Sequence, residues 1–150
     1  MRLSGQRYSP RGIFSDPKRF PETTTLIHEW PSVALESLSL DAASALVTLS
    51  HDPKIDDDAL LPALASDIFY IACLGSGRTH AKRKDRLAAQ GIIGTRFETL
   101  SGPAGLDIGA KSPAEIAVSI LAELIQAWRL PERWEHAQMK DAEIKHDNLL

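Results

Sequence analysis

The stretch that decides the fold is Asp67-Ile-Phe-Tyr-Ile-Ala-Cys-Leu-Gly-Ser-Gly-Arg-Thr-His-Ala-Lys-Arg-Lys84. Its first half, Ile68 to Leu74, is an unbroken run of β-branched, aromatic and aliphatic residues, the pattern of a parallel strand buried on both faces. Gly75-Ser76-Gly77 stops the run, and a Lys/Arg-rich segment from about Arg78 to Gln90 reads as a helix. A buried strand, a glycine turn and a helix start together make a place where α/β proteins hold anions. Glycine lets backbone approach a ligand closely, and the first helical turn offers unpaired N–H groups and partial positive charge. Arg78 and Thr79 would add a fork of donors and a hydroxyl at that turn. A plain connecting turn has the same sequence, so both readings stay open on these residues.

Upstream, Asp41-Ala-Ala-Ser44 leads into a second compact apolar strand, Ala45 to Ser50, which runs into His51-Asp52-Pro53-Lys54-Ile55-Asp56. Asp56 or Asp57 is the expected N-cap of a helix whose Leu60, Leu61 and Leu64 recur at helical spacing and which ends near Ser66. Strand, helix and strand form a βαβ unit with a right-handed crossover. In open α/β sheets ligands gather at the carboxyl ends of strands, so His51-Asp52 and Gly75-Ser76 fall on one functional edge. Residues 1–23 carry Pro10, Pro17 and Pro21 and read as loop, with Tyr8, Phe14 and Phe20 as its apolar anchors. Thr23 to His28 has the β-branched content of a short strand. No second metal-type residue lies at ligand spacing from His28, which reads as structural, so no metal site is expected.

Downstream, the stretch from Gly91 to Leu100 carries no firm assignment. Ser101 to Ala110 is a second glycine loop. Ser112-Pro113-Ala114-Glu115 is a capping box with proline at the first helical position. The helix it opens, Pro113 to about Leu130, is so apolar that it is expected to be largely buried against the sheet. Its N-terminus beside Asp107 is either a second anion seat or simply a well-capped helix start. Residues 131–150 read as a polar tail, so the expected division is one domain over 1–130 and a tail.

With 150 residues, 43% of them hydrophobic, the chain has room for one real core. A formal charge of −3 argues against nucleic acid, which needs a basic surface. The cluster Arg78, Lys82, Arg83, Lys84 and Arg86 reads as a solvated helix face. The single cysteine, Cys73, excludes an internal disulfide and reads as a buried thiol. No run approaches the roughly 20 apolar residues of a membrane span. Met1-Arg-Leu-Ser-Gly-Gln-Arg7 lacks the apolar core of a secretory signal, so the expected location is cytoplasmic.

Five blocks then resemble one family in its own order. They are Pro10-Arg-Gly-Ile-Phe14 with Arg19-Phe-Pro21, Leu49-Ser-His-Asp-Pro-Lys-Ile-Asp56, Tyr70-Ile-Ala-Cys-Leu-Gly-Ser-Gly-Arg-Thr-His80, Gly105-Leu-Asp-Ile-Gly-Ala110 and Ser112-Pro-Ala-Glu-Ile-Ala-Val-Ser-Ile-Leu-Ala-Glu123. The sequence is similar to the Rossmann-type domain of the XdhC/CoxI proteins, accessory factors for molybdenum hydroxylases such as xanthine or carbon monoxide dehydrogenase. The resemblance implies an α/β, Rossmann-like, mostly parallel sheet flanked by helices. It implies a chaperone, rather than an enzyme, that binds molybdenum cofactor (molybdopterin), shields it during sulfuration by a cysteine desulfurase and hands it to an apo-hydroxylase. The alternatives are an NAD(P)-binding Rossmann oxidoreductase and a docking module that takes no small ligand. Family members usually carry an earlier strand and Gly-rich turn, so the fold is expected to be truncated at the N-terminus, without its first Gly-rich βα unit.

The expected site combines Gly75, Ser76, Arg78 and Thr79 with His51 and Asp52 at the neighbouring strand end, closed by Gly105, Leu106 and Asp107. Arg78 suits phosphate because its planar fork binds two oxygens at once. In a sheet of order 3-2-1-4-5, the absent strand would lie between the strand near Thr25 and that at Ala45. An edge left open there is expected to be covered by a second copy in a homodimer.

Overall fold

A computed structural model describes residues 5–8, 16, 18, 20–22, 24–50 and 52–132. The block from Pro10 to Phe14 and the polar tail beyond residue 132 lie outside the described residues. The deciding stretch folds as strand β4 (Tyr70–Cys73), followed by helix α3 (Gly77–Ala89). All four strand residues are buried, which is why an uninterrupted apolar run is needed there. Strand β3 (Ala45–Thr48) lies parallel to it on one side, with Ala45 opposite Tyr70 and Thr48 opposite Cys73. On the other side lies a short parallel strand, β5 (Leu100–Ser101), with Ile71 opposite Leu100. The order β3-β4-β5 brings the carboxyl ends of all three strands to one edge.

The two faces of β4 serve two cores. Ile71 and Cys73 pack with Leu60, Ala63 and Leu64 of helix α2 (Pro53–Leu64), Leu87 of α3, Phe97 of the one-turn helix α4 (Thr95–Glu98), and Leu100. Tyr70 and Ala72 face the other way, onto Leu124 and Ala127 of helix α5 (Pro113–Arg129), with Val47, Phe69 and Ala104 around them. This period-two division of one strand is what makes the sheet a middle layer between helices.

Several sequence expectations need correction. Residues 1–23 are not all loop, because strand β1 (Gly5–Tyr8) pairs in parallel with β2 (Thr24–Ile27). This pair is a separate ladder from β3-β4-β5, so the strand near Thr25 has β1 as its neighbour. A short helix, α1 (Pro31–Glu36), precedes β3 and is tied to α2 by the Ser32 N–H donating to Asp58 Oδ2 at 2.8 Å. The N-cap of α2 is Asp52, four residues before the expected Asp56; its carboxylate accepts from Lys54 N at 3.0 Å.

Asp56 and Asp57 instead bind α3. Arg86 makes a two-point contact with Asp57, at 2.6 and 3.0 Å. Arg83, expected on a solvated face, is 1% exposed and donates to Asp56 at 3.1 Å and to the Leu74 carbonyl at 3.2 Å. The capping box of α5 forms in full, but the helix is not largely buried. Ser119, Glu123, Leu124 and Ala127 are covered, while Val118, Leu121, Ile125 and Trp128 are substantially exposed. An all-round apolar helix needs cover on every side, and this chain's sheet covers one.

Candidate functional site

At the carboxyl edge of β4 and β5 the chain encloses a crevice of about 600 Å³. Its walls are Leu74 and Gly75 at the end of β4, His80 and Lys84 on α3, Phe97 and Glu98 on α4, the loop from Leu100 to Ile108, and the inner face of α5. The two glycine loops that the sequence places far apart therefore meet. Gly75 carries a φ of 139°, and a side chain there would press on Thr79 at 3.2 Å. Gly105 has a φ of 97°, and a Cβ there would fall 2.3 Å from Ser119 Oγ and 3.0 Å from the Ile120 nitrogen. Gly105→Ala is therefore expected to destabilise the protein by about 1–3 kcal/mol, whereas Gly109→Ala, with open space around it, costs less. Chemical denaturation of the two variants side by side checks this.

The second glycine loop is fastened by three backbone contacts. Ala104 N donates to Cys73 O at 2.9 Å, Leu106 N to Ser119 O at 3.2 Å, and Gly105 N to Glu123 Oε2 at 2.7 Å. Glu123 also accepts from Tyr70 Oη at 2.6 Å and Ser101 Oγ at 2.8 Å. One buried carboxylate thus joins β4, β5, the loop and α5. Burial first, and then the hydrogen bond to Glu123, push the Tyr70 hydroxyl well above the usual phenol range, so it stays a donor. Sequence reading passes over Glu123 because a lone glutamate on an apolar helix looks exposed. Its spacing, one and two turns from Ser119 and Ile116, puts it on the inner face.

The expected site residues separate. Gly75, Gly105, Leu106 and Asp107 line the crevice, together with the unforeseen His80, Lys84, Ser101 and Glu123. Ser76, Arg78 and Thr79 are exposed at the first turn of α3, outside that lining. There Ser76 Oγ accepts from Thr79 N at 3.2 Å, so part of the helix-start donor set serves the cap itself. Asp52 caps α2, and His51 lies outside the described residues. At the start of α5, Glu115 Oε2 accepts from Lys111 N and Ser112 N at 2.8 and 2.7 Å. That terminus is a well-capped helix start.

The crevice has mixed charge. Lys84 holds its ammonium 4.7 Å from the Phe97 ring centroid, and Glu98 and Asp107 bring carboxylates. His80 packs its ring against Gly102, where an added Cβ would collide with Nδ1. Cys73 is fully buried, and desolvation pushes its thiol up to about 11. Native protein is expected to resist thiol alkylation at neutral pH, with labelling appearing only on unfolding. Rapid labelling of folded protein would contradict the placement of Cys73. Among the described residues, no group of three or more His, Cys, Asp or Glu is placed to hold a metal ion, and no helix is long and apolar enough to cross a membrane.

Residues 6–124 match the model of the XdhC Rossmann domain. Over 116 residues the chain is 34% identical to a probable xanthine dehydrogenase subunit of Bacillus subtilis, covering 77% of this chain and 33% of that protein. It is 31% identical over 91 residues to the molybdenum cofactor insertion chaperone PaoD of Escherichia coli, covering 61% of this chain and 29% of PaoD. Among solved structures, a crystal structure of a xanthine dehydrogenase from Bacillus halodurans superposes with a TM-score of 0.71 at 28% identity, over 85% of this chain and 36% of that one. The chain thus spans about a third of the length of these relatives. An α/β core with a three-stranded parallel sheet between helices, and a family match over most of its length, show that the chain belongs to the XdhC family through its Rossmann domain.

Proposed function

We propose that this chain takes molybdenum cofactor as cargo in the crevice at the β4–β5 edge and acts as an accessory factor in the maturation of a molybdenum hydroxylase. The observation that carries the reading is the meeting of both glycine loops around one cavity of about 600 Å³, within the usual range for small-molecule sites. The PaoD relative, named as a molybdenum cofactor insertion chaperone, supports the cargo. The missing side chains at Gly75 and Gly105 make room for Thr79 and Ser119 and so bring α3 and α5 close around the cavity, while Lys84 in its wall supplies positive charge for a phosphate.

In this reading the protein shields and presents the cofactor, and sulfuration belongs to a cysteine desulfurase. The single cysteine supports that division, because a buried thiol pushed up to about 11 is a poor sulfur carrier. The hydroxylase, of the xanthine or carbon monoxide dehydrogenase type, would receive the cargo by direct contact.

The test is reconstitution. Apo-hydroxylase is mixed with molybdenum cofactor, with and without the purified chain, and recovered turnover is measured. The chain should raise recovery, and Lys84→Ala, at the cation in the crevice wall, should require about ten- to a hundredfold more chain for the same effect, the value of one charge-assisted contact. Unchanged recovery with the parent chain would sink the accessory role. A dinucleotide found by mass spectrometry in the purified protein, in place of a pterin, would favour an NAD(P)-binding oxidoreductase.

A further inference from the structure

We propose that Asp107 reads the amino-pyrimidinone edge of a pterin, so that the cargo lies with its ring against the second glycine loop and its phosphate toward Lys84. This rests on the crevice being the cofactor's seat. The lining sets one lysine ammonium, Lys84, against the carboxylates of Glu98, Asp107 and Glu123. An anionic cargo gains little from such a wall unless it turns hydrogen-bond donors toward those carboxylates. Glu123 already accepts from Tyr70, Ser101 and Gly105. Neither Glu98 nor Asp107 has an ion-pair partner among the described residues. Glu98 follows Phe97 on α4, on the wall where Lys84 holds its ammonium 4.7 Å from that ring's centroid. Asp107 stands on the loop wall, where Leu106, Ile108, Ala110 and Ile116 supply apolar lining for a flat ring.

The loop fixes the Asp107 carboxylate from both sides. Leu106 N donates to Ser119 O at 3.2 Å just before it, and Gly109 N reaches Asp107 Oδ1 at 3.4 Å just after it. The side chain itself is exposed, so a ligand can reach it. An ionised carboxylate accepts hydrogen bonds and donates none. The pterin edge carries two parallel N–H donors, at ring N3 and the 2-amino group, which meet both carboxylate oxygens as a guanidinium does. The adenine of a dinucleotide sets its amino group beside a bare ring nitrogen, so one carboxylate oxygen would face a lone pair. Asp107 therefore favours pterin over adenine, because a site built for two donors rejects a ring that lacks one.

Titration of the purified chain with pterin and with its 2-oxo counterpart lumazine, followed by the ligands' own fluorescence, reads that edge directly. Lumazine keeps the N3 donor and carries a carbonyl in place of the 2-amino group. The parent should bind pterin at least about tenfold tighter than lumazine, the value of one charge-assisted contact. Asp107→Asn keeps an acceptor for Gly109 N and sets a donor beside an acceptor. It should lose at least about tenfold on pterin and bind lumazine tighter than pterin. A merely structural role for Asp107 would weaken both ligands alike and would overturn the proposal. Molybdenum cofactor titrated alongside separates the two levels of the argument. A parent that takes the cofactor but binds no pterin, or binds pterin and lumazine equally, overturns the proposal and leaves the cofactor reading standing. Reversal in Glu98→Gln with none in Asp107→Asn overturns the assignment to Asp107. A parent that takes neither cofactor nor pterin removes the reading and the proposal together.

Discussion

Arg83→Ala is expected to destabilise the protein by about 3–5 kcal/mol, the largest effect of any charged residue on α3. Arg83 is 1% exposed and Asp56 is 3% exposed, so removing the guanidinium leaves a carboxylate buried without its counter-charge. The pair itself is worth far less than its breakage. Desolvation raises the Asp56 carboxyl above its ordinary value, and the Arg83 contact only partly opposes that. Arg83→Met together with Asp56→Leu, which removes both charges and keeps apolar volume, should therefore recover most of the loss.

The pH dependence has a definite sign. A carboxyl whose pKa is higher in the folded than in the unfolded state binds more protons when folded. Stability then falls as pH rises from the unfolded value of 3.8 through the raised folded one. Without Arg83 the folded value rises further, so the penalty in the single variant should be smaller near about pH 4 than near about pH 8. Urea unfolding at both pH values checks this, and a pH-independent penalty would contradict the ion-pair account.

Glu123→Ala should cost about 3–5 kcal/mol and also loosen the crevice, because three donors lose their acceptor together. Tyr70 Oη, Ser101 Oγ and the Gly105 N–H all end on this carboxylate, and all three lie in or beside the crevice wall. Glu123→Gln is the informative contrast. Its carbonyl oxygen takes over the contacts from Tyr70 and Gly105, which share Oε2, and its amide donates to Ser101 Oγ. The glutamine variant is expected to lose only about 1 kcal/mol. Equal losses in the two variants, measured by chemical denaturation, would mean that negative charge and not hydrogen bonding is what holds the loop.

These two residues show what the sequence reveals and what it conceals. The Ile68–Leu74 run, the glycine turn and the Ser112–Glu115 box are local patterns, and local patterns are enough for β4, α3 and α5. Strand β1 is hidden because Gly5-Gln-Arg-Tyr8 has no apolar alternation and becomes a strand only by pairing with Thr24–Ile27. The short α1 lacks a side-chain cap, and its start is marked only by Pro31. Arg83 reads as a surface residue on chemistry alone, yet it shares a helical stripe with the buried His80 and Leu87. Spacing finds it, as it finds Glu123. The crevice is half legible: both glycine loops are visible, but the walls supplied by His80, Lys84 and Phe97 depend on how α3 and α4 pack.

The proposed place for the cargo is that crevice. The direct measurement is a titration of the purified chain with molybdenum cofactor, followed by tryptophan fluorescence or calorimetry, for the parent and for Ala110→Trp. Ala110 lines the crevice from a half-buried loop position, so the larger side chain fills the cavity without entering either core. The account predicts saturable binding by the parent and at least about tenfold weaker binding by the filled variant, a loss of roughly 1.4 kcal/mol or more. Equal binding by both chains would place the cofactor elsewhere, and no binding by the parent would contradict the cargo reading altogether.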